Sequence, residues 1–290
     1  MRVLLTGGTG FIGRALIAAL VDRRDEVVVV SRHAKAGAVG WDAIEAEVGR
    51  ADAVVHLAGE PVADRRWTAE RLESIRTSRV ESTARVARAI LKAARKPRVF
   101  VSGSAVGYYG MRSDGAVLDE TSPPSDDVLA QIVVAWEAAA APARTVTRVV
   151  HPRTGVVLER GGGALARMAP PFEMFVGGPL GSGKQWVSWV HLRDEVRALL
   201  FALDHEALTG PFNVTAPEPV DMHHFAKALG HALHRPSVMR VPAAALRLAL
   251  GSGLAEVLLT GQRALPRSLL AAGFTFEFSR VDQALEAIFA

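Results

Sequence analysis

A glycine-rich segment near the start of the chain, "LLTGGTGFIGRAL", constrains the fold more than any other feature. Gly7, Gly10 and Gly13 have the spacing G-x-x-G-x-x-G, between a strand-like run at 2–6 and a helical pattern at 12–22. Such glycines permit a tight turn and let a pyrophosphate approach the backbone, while the helix N-terminus offers unpaired N–H groups to the phosphates. The segment therefore predicts a dinucleotide-binding strand–turn–helix unit in preference to an ordinary glycine turn.

Apolar runs alternate with longer amphipathic segments through the first half of the chain. Near-continuous apolar strands separated by helices are typical of a parallel sheet covered on both faces. Further strands are predicted at 26–31, 52–59, 98–104 and 145–152, and further helices at 68–95 and 126–140.

The composition of the sequence changes near residue 158, after which glycine and proline are frequent and the predicted strands and helices are shorter. We expect a Rossmann domain at 1–158 that binds the dinucleotide, and mainly a substrate lobe at 159–290. Part of 186–215 is expected to pack back on the Rossmann domain. The predicted fold class is α/β, a Rossmann-type doubly wound parallel sheet with a small C-terminal α/β substrate lobe.

Composition excludes several classes of protein. With 49% hydrophobic and 22% charged residues in a chain of 290, a disordered or fibrous protein is excluded. The absence of cysteine excludes disulfides and thiolate chemistry, and it fits a reducing compartment. We see neither a signal peptide nor the roughly 18 uninterrupted apolar residues of a membrane span, so we expect a cytoplasmic protein without membrane contact.

The charge pattern favours a small anionic ligand over a nucleic acid. The 34 basic residues are interspersed with 30 acidic ones, for a net charge of +4. No basic stripe interleaves with aromatic residues, so nucleic acid is not an expected partner. A phosphorylated cofactor is a better match for a few of the arginines.

The end of the second strand, "VVVVSRH", indicates which dinucleotide is bound. An NAD site normally has Asp or Glu here, which accepts hydrogen bonds from the ribose 2′-hydroxyl. Ser31 and Arg32 stand here instead, and a guanidinium binds a 2′-phosphate that a carboxylate would repel. This favours NADP(H); the alternative is that Arg32 is an ordinary surface charge. Ala58 and Gly59 end the next strand and leave room for the adenosine half, or serve only strand packing.

The chain resembles extended short-chain dehydrogenase/reductases over essentially its whole length, in several motifs that occur in the family's order: "TGGTGFIG", "HLAGEP", "SGSAVGYYG", "RTGVVLERGGGAL" and "GGPLGSGKQWVSWVH". With "AGEPVADRRWT" and "AWEAAA" it is similar to an atypical subgroup labelled epimerase family protein, of the NAD-dependent epimerase/dehydratase-like type. The resemblance implies a Rossmann domain, a small C-terminal lobe and bound NADP(H).

The motifs and the resemblance together give a set of expected cofactor-binding residues. Two of them, Arg79 and Arg153, match family arginines and are expected to contact phosphate or an anionic substrate; the alternative is pairing with nearby acids. The full set is Thr6, Gly7, Gly10, Phe11, Ile12, Gly13, Ser31, Arg32, Leu57, Ala58, Gly59, Glu60, Arg79, Ser102, Gly103, Arg153 and Val156.

The usual catalytic pair of the family is missing. Its Tyr-x-x-x-Lys falls on Leu129 and Val133, and 126–140 contains neither Tyr nor Lys. Ser104 matches the family's catalytic Ser/Thr and is the first catalytic candidate, with Tyr108 and Tyr109 as the other two. For either tyrosine the alternatives are a wall of the substrate pocket and a buried aromatic whose hydroxyl is bound to backbone.

Further residues are expected at the substrate pocket or are set aside. "GPLGSGKQ" resembles a phosphate-binding loop but lacks the Ser/Thr and the helix after it, so we expect a polar loop over the pocket. No metal site is expected, since only His231 and His234 are close enough to share an ion and no carboxylate joins them. The expected pocket residues are Trp67, Gln185, Trp189 and His191. The alternative is core packing for Gln185 and Trp189 and a structural role for His191.

Three functions fit the sequence. The first is an NADP(H)-binding oxidoreductase acting on an unknown small substrate without the usual dyad. The second is a non-catalytic NADP(H)-binding sensor or regulatory protein, which the loss of the dyad favours. The third, and least favoured, is a nucleotide-sugar epimerase or dehydratase. The sequence does not indicate an oligomeric state.

Overall fold

The computed structural model describes residues 1–32 and 37–290. Its strands are β1 (Arg2–Thr6), β2 (Glu26–Val30), β3 (Ala38–Val39), β4 (Ala53–His56), β5 (Val99–Ser102), β6 (Ser104–Ala105), β7 (Val117–Leu118), β8 (Arg148–Thr154), β9 (Val156–Leu158), β10 (Trp186–Val187), β11 (Trp189–His191), β12 (Gly210–Val214), β13 (Val220–Asp221) and β14 (Arg263–Ala264). Its helices are α1 (Phe11–Asp22), α2 (Ile44–Val48), α3 (Ala69–Lys92), α4 (Val128–Ala140), α5 (Leu165–Glu173), α6 (Leu192–Asp204), α7 (Met222–Ala232), α8 (Ala243–Leu250), α9 (Ser252–Leu259), α10 (Arg267–Ala271) and α11 (Val281–Phe289).

The main sheet is parallel and has the order β12-β8-β5-β4-β1-β2-β3, with β6 beside β8. The chain moves outward from β1 in one direction through β2 and β3 and in the other through β4 and β5. The carboxyl ends of β1, β2, β4 and β5 therefore meet at one edge, at the point where the strand order reverses. The predicted Rossmann-type α/β fold is confirmed.

Alternate residues of the strands pack into two separate hydrophobic cores, one on each face of the sheet. Val3 and Leu5 pack with apolar residues of α1 and α6 on one face of the sheet. Leu4 packs with residues of α2, α3 and α4 on the other face. Both faces are covered, which explains why the strands are apolar along their whole length.

The C-terminal lobe has a core of its own, built on α5, α7 and α11. Its largest members are Phe172, Trp189, Phe225, Phe278 and Leu285. The chain nevertheless returns to the main sheet in this half, because α6 packs on α1 and β12 pairs with β8. Within the described ranges, no helix combines the length and the apolar character that crossing a bilayer would require.

Candidate functional site

The turn between β1 and α1 has no room for side chains at two of its glycines. Gly7 has a φ of +77°, and a Cβ there would lie 2.6 Å from the carbonyl carbon of Leu57. A Cβ on Gly13 would lie 2.2 Å from the carbonyl oxygen of Gly7. The backbones that follow β1 and β4 therefore touch where the strand order reverses, and the N-terminus of α1 opens beside them.

A cleft of about 360 Å³ lies at this edge of the sheet. Eight of the predicted cofactor residues line it: Gly7, Gly10, Ser31, Arg32, Leu57, Ala58, Gly59 and Glu60. Residues that the sequence analysis did not find also line it: Thr9, Val30, Trp41, Thr77, Ser78, Glu81 and Ser82. Four of these lie along α3, where their roughly helical spacing was a signal that could have revealed one polar face.

Glu60 links two arginines at the mouth of the cleft. It accepts from Arg32 Nη1 at 2.9 Å and from Arg71 Nη1 at 3.4 Å. The hydrogen bond from Arg32 is the main reason that the pKa of Glu60 lies below its ordinary value. Arg71 is buried and also donates to Asp64 at 2.8 Å and to the Pro61 carbonyl, so it fixes the loop after β4. The Arg32 side chain is 77% exposed despite its ion pair with Glu60.

Thr6 has a structural partner. Its Oγ1 lies 2.6 Å from Nδ1 of His56, whose Nε2 lies 3.0 Å from Oγ of Ser82. Burial, and secondarily the charge of Arg79, lower the pKa of His56 to about 3, so the imidazole is neutral. This chain of contacts joins the ends of β1 and β4 to α3 behind the cleft.

Arg79 is a partly buried cation beside the cleft. It donates to the Ile75 carbonyl at 3.1 Å and lies 5.1 Å from the ring centroid of Trp136. Among the described residues, no carboxylate forms an ion pair with it. Burial first, and the charge of Arg71 second, lower the pKa of Arg79 to about 10. The charge of Glu60 opposes this shift from beyond ion-pair distance. A desolvated guanidinium without a directly paired carboxylate is a suitable partner for an anion.

The other predicted cofactor residues do not line the cleft: Thr6, Phe11, Ile12, Gly13, Arg79, Ser102, Gly103, Arg153 and Val156. Phe11 packs against Gly162, where a Cβ would lie 2.3 Å from its ring. Gly103 lies against Trp136 in the same way, and Ser102 is fully buried.

Ser104 belongs to a buried polar network at the carboxyl edge of the sheet. Its Oγ donates to Oε1 of Glu137 at 2.6 Å. Arg153 binds both oxygens of that carboxylate, at 2.8 Å from Nε and 3.0 Å from Nη2. Burial alone would raise the pKa of Glu137, but the hydrogen bonds and charge of Arg153 outweigh it and lower the pKa. The buried Arg153 guanidinium therefore pairs with an acid of the chain, which is the alternative to a cofactor contact, and its contact with a cofactor stays a prediction.

The two tyrosines differ in what their hydroxyls contact. Tyr109 is fully buried; its hydroxyl donates to Asn213 Oδ1 at 2.7 Å and accepts from Arg153 Nη1 at 3.1 Å. Burial raises the pKa of Tyr109 to about 12. These contacts favour the structural alternative for Tyr109, and a catalytic role for it stays an untested prediction. Tyr108 is partly exposed, the Arg153 guanidinium lies 3.4 Å from its ring centroid, and its hydroxyl has no hydrogen bond to any described residue.

Apolar packing occupies the positions of the missing dyad. Val133 is buried in α4. Leu129 packs against Gly107, the residue before Tyr108, where a Cβ would lie 3.0 Å from its Cγ. Asp127 caps α4 by accepting from the N–H groups of Leu129 and Ala130, which fixes this helix against the tyrosine segment.

The expected substrate-pocket residues have other contacts. Trp189 is fully buried in the lobe core and donates to the Glu218 carbonyl, which favours the core alternative. His191 is 2% exposed, caps α6 and stacks on Phe278, which favours its structural alternative. A substrate contact of either residue stays a prediction. The buried Gln185 amide donates to the carbonyls of Leu180 and Leu258, and Trp67 donates to the Val62 carbonyl and packs against Gly253. Within the ranges that the structure covers, no group of three or more metal-ligating side chains occurs.

A family model described as the NAD dependent epimerase/dehydratase family matches residues 3–215. The chain belongs to this family. The resemblance to extended short-chain dehydrogenase/reductases is thereby confirmed. A second model, a domain of unknown function (DUF1731), matches residues 241–288, which contain α8 to α11.

Family members resemble the chain over its full length. The epimerase family protein ML0860 of Mycobacterium leprae is 40% identical over 98% of this chain and 94% of its own. The crystal structure of human epimerase family protein SDR39U1 (isoform 2) with NADPH is 40% identical, covers 100% of this chain and 99% of that one, and has a TM-score of 0.94. The nucleoside-diphosphate sugar epimerase of Corynebacterium glutamicum is 31% identical with a TM-score of 0.83, and this chain covers 58% of it.

Proposed function

We propose that this protein is an NADP(H)-dependent oxidoreductase of the extended short-chain dehydrogenase/reductase type, acting on a small substrate without a Tyr-x-x-x-Lys dyad. The observation that carries the cofactor is Arg32, an exposed guanidinium lining the cleft where an NAD site would have an acid. NADPH in the crystal structure of human SDR39U1, at 40% identity, supports the same choice.

The residues of the cleft fit a phosphorylated dinucleotide. The backbone contact between Gly7 and Leu57 leaves a cradle that any Cβ would fill. Arg79 supplies a desolvated positive charge, and no carboxylate of the described chain lies at ion-pair distance from it, although the charge of Glu60 acts on it from farther away. We expect Gly7 and the N-terminus of α1 to hold the pyrophosphate, Arg32 the 2′-phosphate, and Arg79 another anionic oxygen.

Two polar side chains beside the cleft are expected to contact the substrate, one as a hydrogen-bond acceptor and one as a donor. NADP(H) supplies hydride chemistry when bound. The Ser104 hydroxyl donates its hydrogen bond to Glu137. Toward a substrate it can therefore act only as a hydrogen-bond acceptor, through its oxygen lone pairs. Tyr108 has the uncommitted hydroxyl, and it is the residue that we assign as donor to a substrate oxygen. Glu137, held ionised by Arg153, fixes Ser104 in this role.

Arg32→Asp is expected to weaken NADPH binding about 10- to 100-fold, because a charge-assisted contact to the 2′-phosphate is replaced by repulsion. NADH binding should change less, since NADH lacks that phosphate. Fluorescence titration of both nucleotides measures the effect. Arg88→Asp, an equal charge change on an exposed residue of α3, is the control and should leave both affinities unchanged. An unchanged NADPH affinity for Arg32→Asp would remove Arg32 from the site.

Tyr108→Phe and Ser104→Ala are each expected to lower kcat/KM about 100-fold or more while leaving the NADPH affinity unchanged. The assay is NADPH oxidation against a panel of carbonyl compounds and quinones across a range of pH. Leu129→Met, a volume-conserving change at one position of the missing dyad, is the control for packing beside Tyr108. The absence of turnover with every substrate at every pH would contradict the enzyme proposal.

That outcome, with NADPH binding intact, is the signature of the second candidate, an NADP(H)-binding sensor. The observation that favours this candidate is the closed network, in which Ser104 is committed to Glu137 and Tyr109 to Asn213. Epimerase or dehydratase chemistry is less supported, since Leu129 and Val133 give α4 no group that transfers a proton.

A further inference from the structure

Five large apolar side chains are exposed together on the C-terminal lobe, and we call them the apolar tip. Three are consecutive and follow α5, and two lie in the segment before α8: Met174, Phe175, Val176, Val238 and Met239. They are exposed over 47% to 80% of their surface. The other exposed large apolar residues of the described ranges are separated from one another along the sequence, as is normal for a protein surface.

The two segments of the apolar tip form one continuous surface. The N–H of Met239 donates to the Gly177 carbonyl at 3.1 Å. Gly178 lies so close that a Cβ there would be 2.3 Å from the Met239 carbonyl oxygen. The Arg235 guanidinium lies 4.6 Å from the ring centroid of Phe175, so this arginine joins the segments from the side.

Phe175 lowers the stability of the isolated chain in two ways, through its backbone conformation and through the exposure of its ring. Its φ of +64° is in the left-handed region, which is strained for a bulky residue. Its ring is 58% exposed and gains little from burial. Backbone hydrogen bonds hold this conformation, from Phe175 to the Phe172 carbonyl at 2.8 Å and from Val176 to the Pro171 carbonyl at 2.9 Å. A strained aromatic fixed toward solvent indicates a surface that contacts something else.

Two exposed residues of opposite charge lie at the border of the apolar tip, besides the half-buried Arg235 that packs on Phe175. Glu173 precedes the first segment and Arg240 follows the second, and both are exposed. Neither forms an ion pair with another residue of the described chain. Across a two-fold axis each contact occurs twice, so a residue to one side of the axis meets a residue from the opposite side of the same patch in the other copy. Such an axis would bring Glu173 of one copy to Arg240 of the second, and the reverse.

We propose that the apolar tip is the contact surface of a homodimer, with Glu173 of each copy paired to Arg240 of the other. An apolar centre with a charged rim is the usual composition of such an interface. We choose a second copy as the partner because it would carry the same Glu173 and Arg240 and could therefore pair with both. The proposal is independent of the reaction that the protein performs.

Sedimentation equilibrium of the full chain tests the apolar part. We expect a dimer at micromolar concentration, and Phe175→Gly should raise its dissociation constant at least about tenfold. Glycine accepts the φ of this position, so the variant should unfold at the same or a higher temperature than the wild type. Val21→Ser, at an isolated residue of α1 that is 57% exposed, is the control and should not change association. A wild type that stays monomeric at roughly 100 µM, or a dimer that Phe175→Gly leaves intact, would overturn the proposal.

Charge reversal tests the pairing. Glu173→Arg and Arg240→Glu should each raise the dissociation constant about fivefold at low salt, because like charges then face each other across the axis. The double variant restores opposite charges and should return to within about twofold of the wild type. Failure of the double variant to recover would overturn the assigned pairing.

Discussion

Replacing Arg153 with methionine is expected to lower the free energy of unfolding by about 3–5 kcal/mol at neutral pH, because Glu137 is left buried without a counter-ion. Arg153 donates to both oxygens of Glu137, at 2.8 and 3.0 Å, and to the Tyr109 hydroxyl at 3.1 Å. Its side chain is only 3% exposed, so water does not replace these bonds. Methionine fills most of the volume without charge, which limits the cavity. Urea-induced unfolding followed by circular dichroism measures the loss.

The pH dependence of this loss identifies its cause. In the wild type, Arg153 holds the pKa of Glu137 below the ordinary value of 4.5. That contribution to stability is present above pH 4.5 and is lost as the pH falls through the pKa of the folded state. In the variant, burial is the largest remaining influence on Glu137 and is opposed mainly by the Ser104 hydrogen bond, so the pKa should rise and protonation of Glu137 should relieve the penalty. The difference between variant and wild type should therefore narrow from pH 7 to pH 4.

Two further variants distinguish the two possible causes of the stability loss in Arg153→Met, namely the unpaired buried charge of Glu137 and the loss of side-chain packing. Glu137→Gln in the Arg153→Met background removes the stranded charge and should recover part of the loss at pH 7. Arg76→Met breaks an exposed pair with Glu73 at 3.5 Å and should change stability by about 0.5 kcal/mol or less. Equal losses for Arg76→Met and Arg153→Met would contradict the buried ion pair.

The fold could be predicted because its signals are local. The first strand was predicted at 2–6 and spans Arg2–Thr6, since a buried parallel strand is apolar along its whole length. Gly7 needs no tertiary information either, because the spacing of the glycines already specifies the turn. Arg32 was found by its position at the end of a predicted strand. In each case the residue and the feature that explains it are neighbours in the sequence.

The contacts of the candidate site could not be predicted because they join distant elements. Arg153 on β8 was assigned to the cofactor, and its partner Glu137 lies on α4, which only the packing of that helix brings close. The alternation in "WVSWVH" indicates two faces but not which one enters a core, so Trp189 was placed at a pocket. Trp41 lies in a short 3-10 helix after β3 and reaches the cleft only through the tertiary fold.

Gly7→Ala is expected to weaken NADPH binding at least about 100-fold and to lower the free energy of unfolding by about 2–4 kcal/mol. Two separate costs act at this residue. The φ of +77° is strained for any residue with a side chain, and the new Cβ would lie 2.6 Å from the Leu57 carbonyl carbon. That neighbour is the backbone directly after the end of β4, so neither side can move away without separating the ends of β1 and β4. The cradle for the pyrophosphate opens as a result, and the phosphates lose the N–H groups of α1.

Gly273→Ala isolates the first of these costs. Gly273 has a φ of +87°, and a Cβ there would meet nothing within 4 Å, so alanine adds strain without a clash. We expect it to lower the free energy of unfolding by about 1 kcal/mol and to leave NADPH affinity unchanged. Fluorescence titration and urea unfolding of both variants give the comparison. If Gly7→Ala and Gly273→Ala lost equal stability and both bound NADPH like the wild type, the close backbone approach would not be what forms the cofactor site.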